Sequence, residues 1–244
     1  MTAEEPGKAD DFPPIADYDR IVSENQLMAG RRAPRADAQR NRDRILIAAR
    51  DGFLERGPGV ALEAIAQRAG VGIATLYRHF ADRRALMHAV MLDALLTTAE
   101  AAERATDDVS DAFGSLASYM HSVLDLRIAA VIPLLLDQFD FQEPELALAR
   151  DRGAQAAQTL IDAAHSEGSL RRDVAFGDIG MLLIRLSRPL PGQFAAALDT
   201  QLAHRHLDLV LHGLQSAGTT ANPALRGPAL TLEDLRGLET RAHQ

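Results

Sequence analysis

Leu62–Leu86 reads LEAIAQRAGVGIATLYRHFADRRAL. Leu62–Ala69 spells a short helix with Ile65, Ala66 and Ala69 on one face. Ile73–Phe80 spells a second, with Leu76 and Phe80 turned inward. Gly70-Val71-Gly72 separates them, and Gly70 supplies a residue tolerant of positive φ. Two short helices on a tight glycine turn are the helix-turn-helix pattern. The first helix packs across the second, which therefore needs an apolar inner face and an outer face able to touch DNA. Thr75, Tyr77, Arg78 and His79 are left to point outward or along the groove. Hydroxyl, imidazole and guanidinium groups are suitable ligands for phosphate oxygens.

Helical periodicity extends in both directions from this stretch. Upstream, Ile45, Ala49 and Phe53, with Leu46 beside them, form an i, i+4 apolar stripe that Gly57-Pro58-Gly59 stops. Downstream, Asp82 is placed to cap a longer helix from Arg83 to about Arg104, with Leu86, Val90 and Ala94 on one side. Further helices fit Val109–Leu126, Ile128–Gln138, Pro144–Glu167, Asp178–Arg188 and Asp199–Ser216, separated by proline and glycine breaks. No segment alternates β-branched residues with period two, and no repeat of fixed period is present. The expected fold is all-α. Its expected divisions are a disordered arm over 1–34, a three-helix head over 35–82, a helical body over 83–216 and a loose tail over 217–244. Thr231–Arg241 is the one stretch of that tail with helical character.

The distribution of charge agrees with the motif. The chain of 244 residues carries −8 overall. Residues 31–84 hold twelve Arg and no Lys against six acidic residues, a net of +6, which leaves −14 for the remainder. A basic block on an acidic body reads as a nucleic-acid-binding head on a domain with another task, or else as a solvated helix face. Cysteine is absent, which excludes disulfides, thiolate metal sites and cysteine nucleophiles. The N-terminus lacks a signal-peptide pattern, and runs such as Ile128–Leu136 fall short of the roughly 18 apolar residues that span a bilayer. A cytoplasmic protein without a membrane segment is the expectation.

Here the resemblance becomes specific. The Ile-Ala pair, Ala-Gly-Val, the Thr-Leu-Tyr triplet, Phe after His and a basic residue opening the next helix resemble the TetR family of transcriptional repressors. The likeness covers roughly Ala36–Val90. It implies a ligand-responsive regulator that binds a palindromic operator in double-stranded DNA as a homodimer, with no cofactor. Carried over position by position, Thr75, Tyr77 and His79 contact phosphates. Arg83, where the family usually has Lys, reaches a phosphate beside its helix N-terminus. Ile73, Ala74 and Arg78 face the bases: a thymine methyl for the first two, guanine for Arg78. Gly72 and Ala74 bring no hydrogen-bonding side chain, so direct readout is thin. Glu63 matches a base-contacting position and either accepts from cytosine or complements its own helix N-terminus. Tyr77 has the alternative of a core-edge ring, and Arg78 that of a phosphate or solvent-facing charge. Arg40 and Arg42 on the first helix are further phosphate candidates. Arg31, Arg32 and Arg35 form either a minor-groove arm or a solvated tail. Ala61 departs from the family, which usually has a capping Ser or Thr there; that cap is typically worth about 0.5–2 kcal/mol.

The resemblance also implies an effector cavity and a dimer interface in the body. Phe113, Tyr119, Met120, His121, Leu124, Phe139, Phe141, Met181 and Arg185 are candidate cavity residues, with plain core as the alternative. A largely apolar small molecule is the default effector. Met181, Leu182, Ile184, Leu202, Leu209 and Leu214, on the last two long helices, either contact a second subunit or belong to the intrachain core.

Two other function classes compete. Gly70-Val71-Gly72 is similar to part of a dinucleotide fingerprint, but it lacks the third glycine and follows a helix. His204, His206 and His212 lie near one another without a metal-ligand motif, so neither a metal site nor an enzyme is expected. A helix-turn-helix serving protein contacts is opposed by the arginine-rich head.

Overall fold

A computed structural model describes residues 18–106, 111–135, 138–139, 143–190, 196–216 and 225–234, with side chains from Ala36 onward except those of Ile128, Ala196 and Ala197. Its helices are α1 (Tyr18–Arg56), α2 (Leu62–Ala69), α3 (Ile73–His79), α4 (Arg83–Ala105), α5 (Ala112–Asp125), α6 (Ile128–Leu135), α7 (Pro144–Glu167), α8 (Phe176–Leu186) and α9 (Ala196–Leu214). Among the described residues the one departure from helix and loop is an isolated bridge between Leu170 and Gln215. The fold is all-α, a helix-turn-helix head followed by a helical domain.

α1 begins far ahead of Asp37, in a region expected to lack structure. The stretch Ile21–Arg32 is rich in good helix formers, and local propensity carries the helix where no apolar stripe marks it. Residues 1–17 and Phe141 lie outside the described residues, as do the side chains of Arg31, Arg32 and Arg35.

Two units are distinguished, one ending at Asp43 and one beginning at Arg44. In the first, the exposed Arg40 guanidinium pairs with Asp37 one turn earlier. The second holds two cores. One gathers Ile45, Phe53, Ile65, Leu76, Phe80 and Leu86 and continues along α4 to Val131, Leu135 and Leu146. The other gathers Leu116, Met120, Leu160, Ile161, Leu183 and Leu207 from α5, α7, α8 and α9. α4 is by length and composition a helix that could cross a membrane, yet 56% of its most apolar window is buried against its neighbours. Its apolarity is explained by its place between the two cores. Gly153 of α7 packs against Ala99 of α4, where a Cβ would make an ordinary contact at 3.6 Å.

The tail is not loose over Leu225–Asp234. The Gly177 amide donates to the Leu230 carbonyl at 2.7 Å. The Leu225 amide donates to Asp173 Oδ2 at 3.3 Å. Thr231 and Asp234 exchange capping hydrogen bonds, with Thr231 N donating to Asp234 Oδ2 at 2.9 Å and Asp234 N donating to Thr231 Oγ1 at 3.2 Å. The capping pair marks the helix start expected at Thr231. What the sequence did not reveal is the anchoring to α8, which depends on residues more than 50 positions away.

Candidate nucleic-acid interface and effector cavity

The turn between α2 and α3 is closed by Gly70 in the left-handed region, φ 65° and ψ 37°. The Gly70 and Val71 amides donate to Gln67 and Ala66 carbonyls at 3.0 Å, which satisfies the end of α2. A Cβ at Gly70 would also meet the Arg44 guanidinium at 2.3 Å. α3 then follows the pattern its sequence requires. Leu76 is fully buried and Phe80 nearly so, while Ala74, Tyr77 and Arg78 are exposed and Ile73 and Thr75 are half-buried. Tyr77 stands 48% exposed, which argues against a core-edge ring. Gly72 caps α3 through its carbonyl alone, accepting from Thr75 and Leu76 amides at 2.9 and 3.2 Å.

His79 is half-buried beside Phe80, and its Nε2 is buried without a hydrogen-bond partner among the described residues. In this conformation Nε2 is not accessible from outside. Glu63 is exposed in the first turn of α2, where its charge complements the helix N-terminus. Ala61 makes no side-chain cap there, in agreement with its chemistry.

Arg83 differs from the expectation of a phosphate-directed side chain. Its Nη1 donates to the Pro58 carbonyl at 2.8 Å and to the Val60 carbonyl at 2.6 Å. A guanidinium has five donors, and the two on Nη1 are engaged by the loop between α1 and α2. Arg83 therefore ties the start of α4 to the head. Other arginines of the basic block are likewise structural. Arg68 forms a forked pair with Glu55, at 2.6 and 2.9 Å, and reaches Asp51 at 3.3 Å. The Arg68 guanidinium holds the Glu55 carboxyl below its usual pKa, and Glu55 raises that of Arg68. Arg84 lies 5.1 Å above the Phe139 ring and donates to the Gln138 carbonyl at 3.3 Å. Asp82 caps α4 as expected, accepting from the Ala85 amide at 2.8 Å.

In the body, an apolar cavity of about 160 Å³ opens between α4, α6 and α7, with Leu95, Ile132, Ala154, Phe176 and Leu232 on its walls. Thr98, Tyr119, Arg150 and Asp151 bring polar groups to it. Burial pushes the Tyr119 phenol far above its ordinary pKa, so it stays neutral. A more open groove of about 450 Å³, bordered by Arg104, Ser115, Ser118 and Ser122, adjoins the other side of Tyr119.

Of the candidate cavity residues, Tyr119 alone lines the apolar cavity among those described. Phe113, Met120 and Leu124 are buried in the second core, because the apolar stripe of α5 packs on its neighbours rather than on a void. Phe139 belongs to the first core, under Arg84 and edge-on to His88. Met181 and Arg185 are exposed on α8. His121 stacks on His204 of α9 with Nδ1 atoms 2.8 Å apart, and Asp208 and Asp125 flank the outer nitrogens at 3.1 and 2.8 Å. This pairing replaces the expected grouping of His204 with His206 and His212. Thr98, a polar interruption in an apolar helix, was the legible signal for the cavity; nothing in the sequence pointed to Leu232. On the last two helices, Leu182, Ile184 and Leu214 pack on the intrachain core, whereas Met181 and Leu209 are exposed, Leu209 by 64%. Among the described residues no group of histidine and carboxylate side chains is arranged to hold a metal ion.

Residues 45–90 match the family model for bacterial regulatory proteins, tetR family. Residues 111–216 match the C-terminal domain of SbtR-like transcriptional regulators. Among solved structures, a TetR transcriptional regulator from Streptomyces coelicolor is 27% identical, with 72% of this chain and 99% of that one covered and a TM-score of 0.53. A TetR transcription regulatory protein from Mycobacterium vanbaalenii is 28% identical over 75% and 99% of the two chains, with a TM-score of 0.54. The fold is also that of the TetR-like regulator LfrR from Mycobacterium smegmatis, solved in complex with proflavine, at 23% identity, 70% and 95% coverage and a TM-score of 0.53. Among curated proteins nothing matches significantly. With a helix-turn-helix whose second helix buries its inner face, a helical body matched next to it and relatives aligned over nearly their full length, the chain belongs to the TetR family of DNA-binding transcriptional regulators.

Proposed function

We propose that the protein is a repressor that binds a palindromic operator as a homodimer and is released from it by a small, largely apolar molecule. The observation that carries this reading is the continuity of α4. Its first residue, Arg83, is hydrogen-bonded to the head, and its Leu95 and Thr98 line the cavity. Arg83 and Thr98 are 15 residues apart, about 22 Å along a helix that rises 1.5 Å per residue. A guest that shifts α4 therefore displaces the head with it. A coupling of roughly 1–3 kcal/mol would change operator affinity about 5–150-fold. That LfrR is found in complex with proflavine supports release by a small molecule.

On this reading Thr75, Tyr77 and His79 fix α3 on phosphates, while Ile73, Ala74 and Arg78 meet base edges, with Gly72 allowing close approach. Glu63 faces the same groove from α2, Arg40 and Arg42 add phosphate contacts from α1, and Arg83 acts through the loop it holds. One head of this size makes few base contacts. Two heads spaced 34–36 Å apart, or a multiple, read an inverted repeat. The exposed Met181 and Leu209 supply apolar surface for a second copy. The protein works beside DNA in the cytoplasm.

Selection of bound sequences from random DNA, followed by titration of the selected duplex, tests this. The expected product is an inverted repeat bound by two chains, with affinity falling steeply as salt rises. Absence of DNA affinity at low salt would remove the reading. Affinity unchanged at saturating effector would remove its release step.

A further inference from the structure

The segment Leu225–Asp234 lies beyond the region matched by the C-terminal family model, which ends at residue 216. Two hydrogen bonds anchor it to the body and an internal capping pair fixes its end. The Leu230 carbonyl accepts from the Gly177 amide at 2.7 Å, at the start of α8. The Leu225 amide reaches Asp173, itself gripped by Arg171 at 2.8 and 2.9 Å. Thr231 and Asp234 cap each other. Contact at Gly177 is so close that a Cβ would fall 2.5 Å from Leu230 Cβ and 2.6 Å from its carbonyl oxygen. Within the capped turn, Leu232 forms one wall of the apolar cavity beside Phe176.

We propose that Leu225–Asp234 is a strap that walls one side of the effector cavity and limits the size of its guest, with Leu232 and Phe176 as the size-determining side chains. The proposal rests on the reading of the cavity as the effector site. With the strap in place the cavity, about 160 Å³, is close to the roughly 150 Å³ that accepts a benzene ring. It is smaller than the roughly 300–1,000 Å³ usual for ligand sites. The guest accepted with the strap in place is therefore a single-ring or bicyclic apolar molecule carrying one hydrogen-bonding group for Thr98 or Tyr119. Larger apolar molecules enter only when the strap is lifted.

The test compares the full chain with Gly177→Ala, which pushes on Leu230 from outside the cavity, and Leu232→Ala, which removes the wall itself. Indole is the small probe, followed by calorimetry, and Nile red the large one, followed by fluorescence; circular dichroism checks that each chain is folded. The unaltered chain is expected to bind indole and leave Nile red dim. Both variants are expected to bind Nile red at least ten-fold more tightly. If Nile red binds the unaltered chain as tightly as the variants, or binds none while indole binds all, the strap does not set guest size and the effector reading stands. If folded chains take up neither probe, the cavity is not a ligand site and both readings fall.

Discussion

The Arg83 guanidinium donates to the Val60 carbonyl at 2.6 Å, across 23 residues of sequence. That bond, with its companion to Pro58, makes the first residue of α4 part of the head. Arg83→Ala is expected to lower stability by about 1.5–3 kcal/mol, the usual worth of hydrogen bonds to a charged group. Operator affinity should fall with it. Thermal unfolding beside fluorescence anisotropy checks both, and a variant that binds weakly at unchanged stability would show Arg83 acting on phosphate instead.

Tyr77 and Leu76 lie side by side on α3, the first exposed and the second fully buried. Tyr77→Phe removes a hydroxyl from an exposed ring and should weaken operator and unrelated DNA alike, with the unfolding midpoint unchanged. Leu76→Ala empties a fully buried site and should cost about 2–5 kcal/mol. Parallel denaturation and binding curves distinguish them.

Gly70→Ala places a side chain at φ 65°. The left-handed region costs a residue with a Cβ roughly 1–2 kcal/mol, and the Arg44 guanidinium must also move. Chemical denaturation should report a loss of that size, and operator affinity should drop because the angle between α2 and α3 is set at this turn.

Arg40 pairs with Asp37 on an exposed surface, an interaction worth about 0–1 kcal/mol. Exchange of Asp37 for a phosphate is therefore cheap. Arg40→Gln should reduce affinity uniformly across sequences and lower the slope of log affinity against log salt by about one. An unchanged slope would place Arg40 off the duplex.

Asp173 anchors the strap and is held down to a pKa of about 2, first by its hydrogen bonds with Arg171 and then by the Leu225 amide. Its pKa in the folded chain lies below the ordinary 3.8, so the anchor's contribution is full above about pH 4 and lost as pH falls through about 2. Indole affinity should accordingly be flat between pH 5 and 8. A titration step within that range would tie the cavity to another group.

The sequence by itself determined the elements. α2, α3 and α7 begin and end where periodicity, glycines and prolines put them, because burial of an apolar face and the conformational freedom of glycine are local rules. The exposed face of α3 followed from the same rules, since burying Leu76 and Phe80 leaves Tyr77 and Arg78 outward on a single turn of helix. Tertiary structure decided what each long side chain and each apolar stripe meets. Arg83 found backbone carbonyls, His121 found His204, the stripe of α5 filled a core, and Leu232 supplied a cavity wall from the C-terminal segment. Cavities arise where packing fails between segments distant in the chain, and guanidinium groups reach partners several ångströms from their own helix. Neither leaves a period in the sequence.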